Sequence, residues 1–137
     1  MNVKVEVDKN SGFCPGVIRA VEIAETKLAE KGDRKIFSLG ALVHNESVLG
    51  RLADAGLVTV DVEDLDEMQA VQDADLIIRA HGEPPSTYIK AKSLGFNVVD
   101  CTCPVVLKLQ TRIRNAYNAM KAAGEGQILI FGKVGHA

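Results

Sequence analysis

Asp75-Leu76-Ile77-Ile78-Arg79-Ala80-His81-Gly82 decides how this chain folds. Its apolar residues run almost without interruption and show no alternation, the pattern of a strand covered on both faces, which parallel sheets between helix layers produce. His81-Gly82 ends the run, and Pro84-Pro85 opens a helical pattern that reaches Leu94 and stops at Gly95, with Phe96 to Val99 as the next strand. Working back toward the amino terminus, Asp61 to Asp73 is acidic and irregular, a solvated connector or a short helix. Before it, Lys35 to Leu39 reads as a strand ending at Gly40, then a helix through Val48, Leu49, Leu52 and Ala53 to Gly56, then a short strand from Leu57 to Val60.

The two ends of the chain repeat one device. Val3, Val5 and Val7 alternate with charged residues, as in a half-exposed strand, and Cys14-Pro15 then starts a helix carried by Val17, Ala20, Val21, Ala24 and Leu28 and stopped by Gly32. Cys103-Pro104 likewise starts a long helix through Val106, Leu109, Ile113, Ala116, Tyr117 and Met120 to Gly124, and Gln127 to Phe131 reads as a last strand. Strand and helix alternating over short links predict an α/β fold: three αβα layers around a mostly parallel sheet, joined by right-handed crossovers. The expected division is a first α/β domain over 1–103. Residues 104–137 are then the first helix and strand of a second similar domain that is cut short.

At 137 residues, 47% hydrophobic and 25% charged, the chain can bury a core. A net charge of -2 with 4% aromatic residues and no Trp gives neither the basic patch nor the stacking platform that nucleic acid requires. No apolar run reaches the length of a membrane span, and Lys4, Glu6 and Asp8 do not open a signal peptide, so a cytoplasmic location is expected. Three cysteines, two of them one residue apart, point to metal or redox use and away from a secreted disulfide framework.

Ligands of open parallel sheets bind outside the carboxyl ends of the strands, where every following loop emerges. On the strands assigned above, Cys14, His44, His81, Cys103 and His136 each follow a separate strand and face one edge. Proline at the first helical position makes each Cys-Pro a cap followed by a helix start, so both thiols sit at positive helix ends that favour the thiolate. Each residue also has a plainer role: a free cysteine is often a small buried hydrophobe, and Cys101, inside its strand, reads that way. His44 precedes Asn45, which caps the next helix. Thiolates select zinc or iron–sulfur clusters, and imidazoles with helix N-termini suit an anion such as diphosphate. Cysteines far apart in sequence, with histidines left for an anion, fit a cluster facing a phosphate-bearing substrate better than the short Cys spacing of a closed zinc site.

Gly12-Phe13-Cys14-Pro15-Gly16-Val17 with Arg19-Ala20, Val43-His44-Asn45, Arg79-Ala80-His81-Gly82, Asp100-Cys101-Thr102-Cys103-Pro104 and Gly135-His136-Ala137 together resemble the amino-terminal part of the 4-hydroxy-3-methylbut-2-enyl diphosphate reductases. The resemblance runs the whole chain in order and corresponds to less than half of such an enzyme. It implies a [4Fe-4S] cluster with Cys14 and Cys103 as two of three cysteine ligands, and His44, His81 and His136 as the residues that bind the substrate diphosphate. It implies reductive dehydroxylation of an allylic diphosphate, by two electrons from a reduced ferredoxin or flavodoxin, to isopentenyl and dimethylallyl diphosphate. The family's third cluster ligand and its acidic proton donor, the latter two residues past the position of His136, fall beyond Ala137, so the chain alone is expected to be inactive. The competing reading is a self-contained zinc- or phosphate-binding α/β module without redox activity, in which Cys101 joins Cys14, Cys103 and a histidine.

Overall fold

A computed structural model describes residues 3–8 and 11–132. In chain order the elements are α1 (Pro15–Glu30), β1 (Lys35–Leu39), α2 (Glu46–Asp54), β2 (Leu57–Val60), α3 (Asp64–Glu67), β3 (Ala74–Ile78), α4 (Pro85–Ser93), β4 (Asn97–Asp100) and α5 (Pro104–Ala123). The four strands form one parallel sheet in the order β2-β1-β3-β4. β3 is buried at every position, as its unbroken apolar run requires.

Alternate residues of the central strands feed two cores. On one face Ile36, Leu57 and Ile77 pack with Ala20, Ala24 and Leu28 of α1 and Leu52 of α2. On the other, Phe37, Leu39, Leu76 and Ile78 pack with Leu65 of α3 and Ala91 of α4. The expected three-layer αβα architecture is therefore present. At its lower edge the buried Asp75 carboxylate is shared by Arg34 at 2.8 Å, Lys27 at 3.3 Å and the Asn97 amide at 2.7 Å. Lys27 lies in the last turn of α1, so α1 runs against the strands and its N-terminus rises to their carboxyl edge.

Sheet order fixes where a ligand belongs. The chain leaves β1 through α2 to reach β2 on one side, then returns past β1 through α3 to place β3 on the other side. Neighbouring strands whose connections depart in opposite directions leave a crevice between their following loops, the switch point at which open α/β sheets bind ligands. Here that crevice lies between β1 and β3.

Two expected strands are absent. Residues 3–8 join no ladder: Val3, Val5 and Val7 are exposed and Lys4 pairs with Glu6. Residues 127–131 are also irregular, with Leu129 and Phe131 almost fully exposed. Alternation or an apolar run makes a strand only where a neighbouring edge receives it. Neither segment pairs with β2 or β4, the two edges of the sheet. Cys14 therefore caps α1 without a strand before it among the described residues.

Candidate functional site

The site is assembled by backbone hydrogen bonds that carry the parallel ladder past its last regular residue. The Cys101 N–H donates to the Ile78 carbonyl at 3.0 Å and the Cys103 N–H to the Ala80 carbonyl at 2.8 Å. These bonds bring Cys103 beside the turn that bears His81. Between them, Thr102 gives its N–H (2.9 Å) and its hydroxyl (2.5 Å) to Asp100 Oδ1, a side-chain turn that swings the chain from β4 into α5.

Cys103 also meets α1. A Cβ built on Gly16 would lie 2.9 Å from Cys103 Sγ and 3.1 Å from its Cβ, so the thiol is seated against the first turn of the helix that Cys14 caps. Neither cysteine carries a side-chain capping bond on its helix. Cys14 is exposed and Cys103 half-buried. Two thiols thus stand at the starts of two helices. That donor set, with a sulfur filling the space a side chain at Gly16 would take, fits one side of a metal–sulfur group. Among the described residues no three of His, Cys, Asp and Glu gather as ligands, so no enclosed ion site is formed.

His81 and His44 come from the loops after β3 and β1, the two walls of the switch point. Arg79 spans it: Nη1 lies 3.2 Å from where a Gly40 Cβ would be, and Nε approaches Glu83 at 3.4 Å. The Arg79 side chain, rooted after β3, thus packs against the backbone of the loop after β1. His44 is exposed, and Asn45 beside it caps α2 by accepting the Val48 N–H at 3.0 Å, as its sequence position predicts. His136 lies outside the described residues.

A cleft of about 700 Å³ opens from His81 between α4 and α5, with Tyr88, Asp100, Gln110 and Arg114 on its walls. The Tyr88 hydroxyl sits 3.3 Å from Thr102 Oγ1. Its pKa is raised by burial first and by the Asp100 charge second, against the Thr102 hydrogen bond. Tyr88, Gln110 and Arg114 escape a motif reading because they come from two helices that meet only in the fold. Gly16 and Arg79 stand inside quoted motifs, but no local pattern tells that one receives a sulfur and the other packs against the loop after β1.

Cys101 is different in kind. It follows β4, is fully buried among Ala20, Ala24, Ile77 and Ala80, and burial pushes its thiol up to about 11. That is a core residue, as expected, and among the described residues Cys14, Cys101 and Cys103 do not gather as a ligand group.

Residues 5–137 match the family model described as LytB protein. The chain belongs to the LytB protein family. Among curated relatives, the 4-hydroxy-3-methylbut-2-enyl diphosphate reductase of Bacteroides fragilis is 47% identical over 135 residues, 98% of this chain and 44% of that protein. The reductase of the same name from Prosthecochloris aestuarii is 47% identical over 98% of this chain and 39% of its own length. The solved structure of the Plasmodium falciparum E-1-hydroxy-2-methyl-but-2-enyl-4-diphosphate reductase superposes with a TM-score of 0.70 at 31% identity, covering 81% of this chain and 33% of that one. A second structure, of the reductase described as the terminal enzyme of the non-mevalonate pathway, gives 0.64 at 33% identity over 85% and 38%. The LytB-family chain thus spans less than half the length of these relatives. Among the described residues no helix is long and apolar enough to cross a membrane.

Proposed function

We propose that this chain is the cluster- and diphosphate-binding first part of a 4-hydroxy-3-methylbut-2-enyl diphosphate reductase. The observation that carries the reading is the convergence of the two Cys-Pro helix starts on the turn that bears His81, through the Cys103 to Ala80 bond and the Cys103 to Gly16 contact. Cys14 and Cys103 would be two cysteine ligands of a [4Fe-4S] cluster, the third belonging to a part of the enzyme outside this chain. When bound, such a cluster supplies electrons and an open iron that acts as a Lewis acid toward the allylic hydroxyl.

The rest of the work falls to the chain itself. His44 and His81, on the two walls of the switch point, bind the diphosphate, joined by His136 on the strength of its Gly-His pairing in the sequence. Holding that end of the substrate fixes the distance from its hydroxyl to the cysteines, which is catalysis by positioning. The acidic proton donor belongs beyond Ala137, and without it and the third ligand this length of chain does not turn over. Residues 1–103 act as the first domain and α5 opens the second, in keeping with the lack of a buried residue along α5. A reduced ferredoxin or flavodoxin supplies the electrons in the cytoplasm.

The test is anaerobic turnover of the allylic diphosphate by the full gene product with a reduced viologen dye. His44→Ala and His81→Ala raise KM roughly ten- to a hundredfold, the worth of a hydrogen bond to a charged group. Unchanged KM in both variants, or no turnover by the wild type, contradicts the reading.

A further inference from the structure

We propose that Gly16 is a positioning residue for the sulfur pair: its missing side chain lets Cys103 seat its thiol against the first turn of α1, beside Cys14. The inference rests on the reading of Cys14 and Cys103 as paired ligands, and it goes beyond it by naming what pairs them.

Glycine at this position has no local justification. Gly16 lies inside α1 and is absent from the glycines with positive φ, so any residue fits its backbone and glycine there weakens the helix. Gly50, inside α2, has nothing within 4 Å of an added Cβ. At Gly16 an added Cβ meets Cys103 Sγ at 2.9 Å and Cys103 Cβ at 3.1 Å. Turning the sulfur relieves only the first contact. The backbone of Cys103 is in turn fixed on both sides, its N–H on Ala80 at 2.8 Å and its carbonyl accepting from Leu107 N–H at 3.0 Å. A side chain at position 16 therefore displaces the Cys103 side chain, or α1 with Cys14, from this seat by a few tenths of an ångström.

Phenylarsine oxide reports the spacing, since one arsenic bridges two thiols only where they are close, and it needs neither iron nor substrate. In metal-free protein carrying Cys101→Ala, the arsenical binds through Cys14 and Cys103. Adding Gly16→Ala weakens this at least tenfold, while Gly50→Ala leaves it unchanged. Equal affinity with and without Gly16→Ala overturns the proposal. A second readout uses stability: Gly16→Ala lowers the urea midpoint when residue 103 is Cys and does not lower it in a Cys103→Gly background. An equal shift in both backgrounds overturns it as well. Protein that captures the arsenical yet takes up no iron contradicts the cluster reading and leaves the role of Gly16 intact.

Discussion

Cys103 donates its backbone N–H to the carbonyl of Ala80 over 2.8 Å, and this bond ties a residue from the last strand's exit to the turn that carries His81. Anything that opens the turn therefore disturbs the cysteine too. Gly82 closes it with φ +75°, its N–H bonded to Arg79 O at 3.0 Å, and an added Cβ there would meet Thr102 at 3.0 Å. Gly82→Ala is expected to cost about 1–2 kcal/mol from the left-handed backbone alone, with more from displacing Thr102. Urea unfolding checks it, as a lower midpoint at unchanged slope.

Asp75 is the anchor at the opposite edge. Its carboxylate is buried, and it serves Arg34, Lys27 and Asn97 at once. Removing one partner of a buried pair is costly, but both cations here reach water, so Asp75→Ala is expected to lose about 2–3 kcal/mol, toward the low end for such pairs. A midpoint in urea close to that of wild type would show that the three partners contribute little.

Cys101 gives a pH signature. Its thiol titrates near 11 in the folded chain against the ordinary 9.0, so between those values the unfolded chain has released a proton that the folded chain keeps. The stabilisation is complete below pH 9 and is lost as pH rises to 11, a fall of about 2–3 kcal/mol. Cys101→Ala should flatten that decline, and alkylation at pH 8 should label the exposed Cys14 long before Cys101. A decline of the same size in both proteins would assign it to other groups.

Asn45 tests the seat of His44. Asn45→Ala removes the cap on the Val48 N–H and is expected to cost about 1 kcal/mol, read from thermal unfolding. An unchanged unfolding temperature would mean that water replaces the cap.

Much of this was legible in the residues. The central strand declared itself because Leu76, Ile77 and Ile78 are covered on both faces and need no alternation. The helix starts at Pro15, Pro85 and Pro104 follow from the missing proline N–H. Val3 to Val7 and Gln127 to Phe131 have the composition of strands but lie against neither edge of the sheet, and where an edge is met is a property of the assembled fold and not of the segment. In the candidate site, Cys14, Cys103, His44 and His81 were visible as motif residues. The parts played by Gly16 and Arg79 were not, because each acts on a residue far along the chain that only folding delivers.

Iron and acid-labile sulfide, measured with the visible absorption of the full gene product purified without oxygen, test the central claim most directly. The account predicts a brown, oxygen-sensitive protein whose colour and iron are lost in Cys14→Ser and in Cys103→Ser and kept in Cys101→Ala. Stoichiometric zinc in place of iron, or a chromophore that survives loss of either Cys14 or Cys103, would contradict it.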